Sequence, residues 1–385
     1  MSGADAKAGS GEGIAARLTI GADLPLHRRY PGTRDALSRV PLALLPTAVQ
    51  EAGDLAEVLQ AGELWFKRDD TSGPIYGGNK VRKLEFLLGD AHAAGATDII
   101  TFGAAGSNHA LATALYGTRE GFAVHSMLMP QPNARYVRRN LLAAQSVGAD
   151  LRIFEDGDHA VRAGIRLKRK LAAEDRVPFV IPFGGTNARS TAGFVNAGLE
   201  LGDQVAAGEL PEPDLVFVAM GSMGTAAGIA LGMRAAGMRG RVVGVPVVAY
   251  DVNTADNLLA AIVDAQAVLT AADPTFPRFA WGCEDVSVAT GFLGERYAQF
   301  TPEAMEAIGL AEKHAGVHLE GTYTGKALSA LAAQGRAGAL RGRRVLFWNT
   351  YNSRDIEAMV GRGDANRLPK RLRAYFEQDV QELDG

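Results

Sequence analysis

One cysteine, Cys283, stands in the 385 residues, so no disulfide can close within the chain, and a reducing cytoplasm is the expected setting. Neither sign of charge is in excess. Lys and Arg total 40 against 43 Asp and Glu, for a net charge of -3. That balance removes any electrostatic reason to expect nucleic acid or an anionic membrane as a partner. The opening residues, MSGADAKAGSGEG, have no apolar centre for a secretory signal and too little positive charge for a transit peptide. We expect a flexible tail there. The uncharged stretch 215–233 is broken by Gly221, Ser222, Gly224, Thr225 and Gly228, and reads as a buried strand, turn and helix instead of a membrane span. No repeat period, heptad seam or proline-rich linker divides the chain, and no metal site is expected.

What the chain has in quantity is glycine, 46 residues without a collagen period, which suits many tight strand-to-helix turns. Short β-rich runs alternate with helical stretches. Strands are expected at Leu64–Lys67, Asp98–Phe102, Val124–Met129, Leu151–Phe154, Phe179–Pro182, Leu215–Ala219, Val242–Val248 and Arg344–Trp348. Helices are expected between them, among them Lys80–Ala94, Ser107–Glu120, Ala192–Ala207, Thr225–Ala236 and Pro302–His314. This pattern predicts an α/β fold of parallel-rich sheets built from right-handed crossovers. The basic run 166–170, interleaved with Leu167 and Leu171, reads as a solvated helix face.

Three glycine-punctuated turns each open a helix. In the first, Gly77-Gly78-Asn79-Lys80-Val81-Arg82-Lys83, Asn79 is a fair N-cap and two lysines fall in the first turn. Cations there oppose the helix macrodipole by up to about 1 kcal/mol each. The placement makes sense if one lysine becomes an imine and the other faces a bound anion; two exposed lysines on an ordinary helix are the plain alternative. The second turn, Gly103-Ala104-Ala105-Gly106-Ser107-Asn108-His109, presents backbone N–H groups that can grip a carboxylate, or merely starts a helix. The third, Gly221-Ser222-Met223-Gly224-Thr225, lets amides and hydroxyls converge on a phosphate. It has neither the Gly-Lys-Ser/Thr of a nucleotide P-loop nor the Gly-x-Gly-x-x-Gly spacing. A reactive lysine, a carboxylate turn and a monophosphate turn together are the minimal equipment of a pyridoxal 5'-phosphate enzyme acting on an amino acid.

From Pro41 to Arg354 the chain resembles the family of 1-aminocyclopropane-1-carboxylate (ACC) deaminase and D-cysteine desulfhydrase, among the tryptophan-synthase-β-like, fold type II enzymes. The resemblance rests on Lys67-Arg68-Asp69-Asp70, on 78–86, on Ser107-Asn108-His109, on Gly184-Gly185-Thr186-Asn187, on Gly221–Thr225 and on Tyr323-Thr324-Gly325-Lys326-Ala327. It implies a two-lobed molecule: a flexible segment 1–35, a large cofactor domain of 36–83 and 197–385, and a small domain of 84–196. It implies Lys80 as the Schiff-base lysine, and Lys83 and the loop Gly221, Ser222, Met223, Gly224 and Thr225 as phosphate contacts. Asn79 and Asn108 would flank the cofactor, Thr324 and Thr350 would lie near the pyridine nitrogen, and Ser107, Asn108 and His109 would hold the substrate carboxylate. Tyr297 and Tyr323 would face the substrate, with Ser107 as a further proton handler.

Departures cluster at the substrate side: Gly106, Ala110, Leu111, Phe194, Glu320-Gly321-Thr322 and Tyr351-Asn352 replace residues usual in the family. Thr324 stands where ACC deaminases carry a glutamate. A threonine cannot keep the pyridine protonated as a charge, which leans the reading toward desulfhydrase-type elimination. The expectation is a cytoplasmic, homodimeric lyase that eliminates a β-substituent from D-cysteine or a similar small amino acid. ACC deamination, cysteate desulfonation, β-replacement and a non-catalytic cofactor-binding protein stay open as alternatives; a dehydrogenase is disfavoured.

Overall fold

A computed structural model describes residues 19–21, 23–249 and 252–384. Two parallel-rich sheets organise it. The larger has six strands in the order Val286–Val288, Arg241–Pro246, Leu215–Met220, Arg344–Trp348, Glu63–Lys67, Val49–Glu51, all parallel except the last pair. The smaller has four parallel strands in the order Asp150–Ile153, Ala123–Met129, Asp98–Ala104, Pro178–Ile181. Its residues fall between Glu63–Lys67 and Leu215–Met220 in the chain, so one sheet is threaded inside the other. The boundaries expected at 83/84 and 196/197 fall within two helices, Asn79–Ala93 and Ala188–Ala206, that run unbroken through them.

Every expected strand is present to within three residues at either end. Val49–Glu51, Val286–Val288 and the antiparallel pair Thr19–Ile20 with Leu44–Leu45 add to them. These have only two or three residues, too few for an alternating pattern to declare itself. Within 1–35, residues 1–18 lie outside the described residues, and the expected flexible tail with them. Beyond them the segment is not a tail. Pro25–Arg29 and Gly32–Ala36 are helical, Leu24 and Leu26 are buried, and the Leu26 N–H donates to Asn196 Oδ1 at 3.1 Å. Stretch 215–233 is the buried strand, turn and helix expected of it. Among the described residues, Ala255–Ala272 is the one helix long and apolar enough to cross a membrane, and it buries Leu258, Ile262, Ala265 and Leu269 along one face. The Arg166–Lys170 face is exposed with Leu167 and Leu171 turned in.

One helix start is built with unusual precision. Gly78, not Asn79, is the N-cap of Asn79–Ala93, because its φ of 86° belongs to glycine. A Cβ at Gly77 would lie 1.9 Å from the Asp70 carbonyl oxygen, and one at Gly78 would lie 2.6 Å from that of Tyr351. Asn79 N–H then bonds the Thr350 carbonyl at 3.1 Å. Behind this start lies a buried charge network. Arg82 donates to Asp69 Oδ1 and Oδ2 at 2.8 and 2.9 Å and to Glu200 Oε1 and Oε2 at 2.9 and 3.0 Å. Lys67 Nζ donates to Glu200 Oε1 and the Thr47 carbonyl, both at 2.7 Å. Burial alone would push Glu200 up, but Arg82 and Lys67 overcome it and hold the carboxyl at about 2. Two cations meet two anions, so the desolvation cost is matched inside the network.

Glu200→Gln strands part of that charge, and we expect it to cost about 3–5 kcal/mol, read as a lowered urea midpoint. The sign follows from the depressed carboxyl. The advantage of the wild type is full above the ordinary value of 4.5 and shrinks as pH falls toward about 2. A variant equal to wild type at pH 7 contradicts the role given to this network.

Candidate active site

Loops leaving the carboxyl ends of the strands Asp98–Ala104, Leu215–Met220 and Arg344–Trp348 converge with the Lys80 helix start on a cavity of about 790 Å³. Ligand crevices of open parallel α/β folds lie at this end of their sheets. Among the expected residues, the structure brings Asn79, Lys80, Ser107, Asn108, His109, Gly221, Ser222, Met223, Thr225, Tyr297, Tyr323 and Thr350 to its wall. Lys83, Gly224 and Thr324 lie behind it.

The Lys80 amine makes no hydrogen bond or ion pair among the described residues, and burial lowers it to about 8. Lys83 is fully buried one turn on. Burial, then the neighbouring Lys80 charge, pushes it far below the ordinary lysine range. Its Nζ donates to Thr186 Oγ1 at 2.7 Å, and the Thr186 and Ser222 hydroxyls meet at 2.7 Å. Lys83 therefore reaches the turn Gly221–Thr225 through two hydroxyls. Thr186 belongs to a motif noted in the sequence, but its bond to Ser222 spans 36 positions and only the fold creates it.

The turn Gly221–Thr225 opens the helix Gly224–Ala235, whose first turn has no acidic residue. Its N-cap, Met223, takes φ 62°, a strained value for a side-chain-bearing residue and of the kind held at binding sites. Asn79 Nδ2 donates to Thr225 Oγ1 at 3.0 Å, tying this turn to the Lys80 helix.

At the opposite turn, Ser107 Oγ caps its helix by accepting from Ala110 N–H at 3.1 Å. Asn108 Oδ1 accepts from the Tyr76 hydroxyl and from Asn140 Nδ2, both at 3.1 Å, which leaves its own Nδ2 for a ligand. His109 Nε2 pairs with Thr101 Oγ1 at 2.9 Å, and burial followed by Lys80 and Lys83 keeps the ring neutral. A Cβ at Gly106 would lie 2.7 Å from the Val137 side chain and 2.8 Å from the Tyr136 ring, so this position is closely hemmed in. Gln131, which sequence reasoning missed, accepts the Gly106 N–H at 2.9 Å and joins the wall.

Across the cavity the Tyr297 and Tyr323 hydroxyls are hydrogen-bonded to each other. Burial pushes Tyr297 up to about 12 and Tyr323 further, so both phenols stay protonated. Thr324 is withdrawn from the cavity because its hydroxyl accepts the Glu320 N–H at 2.9 Å. The wall nevertheless has a carboxylate. Glu320 lines it and accepts the N–H groups of Thr322, Tyr323 and Thr324 at 2.8, 2.7 and 3.0 Å. Thr324, expected near the pyridine nitrogen, is thus absent from the wall, and Glu320 four residues earlier is present in it. An acidic residue just before a helix start was the available signal. Tyr351 is also in the wall, its hydroxyl accepting from Arg139 Nη2 at 2.6 Å.

The group that suits this wall must offer a lysine-reactive carbonyl and, within reach of it, a phosphate for a strained turn at a helix N-terminus. Pyridoxal 5'-phosphate has both, and the unpartnered Lys80 amine and the acid-free turn fit it. The class so defined is the enzymes that process amino acids on this cofactor. The pyridoxal-phosphate dependent enzyme family model matches residues 40–350, and the chain belongs to that family. A nocardicin C-9' epimerase of Nocardia uniformis subsp. tsuyamanensis is 36% identical over 89% of this chain and 99% of its own length. A bifunctional D-cysteine desulfhydrase/ACC deaminase of Arabidopsis thaliana is 31% identical, over 80% of this chain and 77% of its own. A D-cysteine desulfhydrase of Klebsiella pneumoniae is 30% identical, over 76% and 87%. A crystal structure of an ACC deaminase homologue superposes with a TM-score of 0.72 at 29% identity, covering 84% of this chain and 95% of that one.

Because only the neutral amine attacks a carbonyl, the reconstitution rate of cofactor-free protein with pyridoxal 5'-phosphate is expected to rise with pH through a midpoint near 8. A midpoint above 10 contradicts the buried setting of Lys80. Thr186→Val, which cuts the Lys83 relay, is expected to weaken cofactor retention about tenfold in equilibrium dialysis.

Proposed function

We propose that the protein eliminates the β-substituent of an amino acid, D-cysteine or a close relative of it, with Lys80 as the cofactor-bearing lysine and the base at Cα. The observation that carries this reading is one cavity wall holding the Lys80 amine, without a partner among the described residues, and the hydrogen-bonded hydroxyls of Tyr297 and Tyr323. When bound, the cofactor supplies the electron sink that makes a Cα proton removable. Lys80 takes that proton, and Tyr297 or Tyr323 donates one to the departing β-substituent, with Ser107 as a further candidate. The Ser107–His109 turn orients the substrate carboxylate, its backbone amides aided by Asn108 Nδ2. The loop Gly221–Thr225 with Lys83 behind it receives the phosphate, while Thr350 is placed for the ring. The balance for cysteine is cysteine plus water giving pyruvate, hydrogen sulfide and ammonium, with the Cβ–S bond broken and the oxo oxygen drawn from water.

Support comes from the relatives named D-cysteine desulfhydrase and ACC deaminase. The reading includes a small lobe around the four-stranded sheet and a cytoplasmic homodimer, the latter by analogy with enzymes of this kind. A second reading is epimerisation at Cα. The base and the donor that serve elimination also suffice to remove a proton and return one, and a relative matched over 99% of its own length is named an epimerase.

A panel of D- and L-amino acids in deuterated water, followed for sulfide, pyruvate, 2-oxobutyrate and Cα exchange, separates the two. Elimination predicts sulfide and pyruvate from cysteine; epimerisation predicts deuterium at Cα with inversion and no oxo acid. Lys80→Ala is expected to lower either rate by on the order of 10³ or more, and Tyr297→Phe by roughly 10². Full activity in Lys80→Ala sinks both readings.

A further inference from the structure

Among the described residues, one cation of the cavity wall has no anion assigned to it once a simple amino acid and the cofactor are seated. Besides the phenols, four ionisable groups among the described residues line that wall: Lys80, His109, Arg296 and Glu320. His109 is neutral, and Glu320 is engaged by the three amides of its own turn. The phosphate has its helix start and the α-carboxylate its turn at Ser107. Arg296 is left over, exposed at the mouth, with no carboxylate partner among the described residues.

The remaining wall is apolar. Met129, Pro130, Pro132, Phe183, Val248 and Val252 contribute to it. Phe183 is 37% and Val252 49% exposed, two large apolar side chains of the cavity wall left open to water. The cavity of about 790 Å³, which has to hold the cofactor as well as the substrate, lies in the range of pockets that bury drug-sized molecules.

We infer that the substrate of this site bears an extended apolar side chain ending in a carboxylate or a similar oxyanion, which Arg296 receives at the mouth. The inference rests on the amino-acid reading above and is indifferent to elimination or epimerisation. Arg296 directly precedes Tyr297, so the cation that reads the far end of the side chain and a phenol at the reacting end share one loop. A guanidinium suits this task because its planar donors match a carboxylate in a forked pair.

Calorimetry on the holoenzyme with D- and L-phenylalanine and 4-carboxyphenylalanine tests this without elimination, since neither compound has a β-leaving group. The expected result is about tenfold tighter binding of the carboxylated compound, the worth of one charge-assisted hydrogen bond. Arg296→Gln should remove that preference and leave phenylalanine binding unchanged, and Arg296→Lys should keep part of it. In turnover, S-(4-carboxybenzyl)cysteine should surpass S-benzylcysteine in the wild type only. Equal binding of both aromatic acids by the wild type overturns the inference, as does an equal loss of both in Arg296→Gln. Efficient Cα exchange on cysteine with poor binding of both aromatic acids also overturns it, while leaving the proposed reaction standing. No Cα exchange on any amino acid, with the charge preference intact, removes the reaction and upholds the inference.

Discussion

The site depends on the buried pairing of Arg82 with Asp69 and Glu200. Asp69 follows the strand Glu63–Lys67 of the large sheet, Arg82 lies one turn into the Lys80 helix, and Glu200 comes from the buried helix Ala188–Ala206. These bonds fix where the Lys80 helix begins relative to the sheet. Everything nearer the cavity is secondary to that placement: the Gly77–Gly78 contacts with neighbouring carbonyls, the Asn79 bond to Thr350, and the direction in which Lys80 leaves the helix. A buried ion network is a weak source of net stability but a strict one of geometry, because any other arrangement leaves charge unpaired in a low dielectric.

The same low dielectric sets the protonation states the chemistry needs. It brings the Lys80 amine down to about 8 and holds the Tyr297 phenol at about 12. One environment thereby leaves more of the amine in its neutral, proton-accepting form and keeps the phenol protonated, since both charged forms are disfavoured. His109, within the same wall, stays neutral for the same reason and serves as a hydrogen-bond partner of Thr101.

What was legible in the sequence is what local chemistry decides. Lys80 and Lys83 stood out because two cations in a first helical turn oppose the macrodipole, and the turns at Ser107 and Gly221 because strand ends meeting glycine and hydroxyl residues make anion cradles. The parallel sheets were legible from strand length and alternation with helices. Illegible were the contacts made across the chain: the Thr186–Ser222 bond that links Lys83 to the phosphate turn, and Gln131 moving in where Gly106 has no side chain. Thr324 was misread for a related reason. Its hydroxyl is occupied by the Glu320 N–H, and the carboxylate on the wall comes from Glu320 four residues earlier. A motif letter identifies a position, but the direction of its side chain is set by the nearest unsatisfied backbone group.

The most direct test of the account is to reduce the holoenzyme with borohydride, digest it and locate the pyridoxyl group by mass spectrometry. The account predicts that it lies on Lys80. Label on Lys83 or Lys326, both of which are buried, would contradict the geometry from which the site was built.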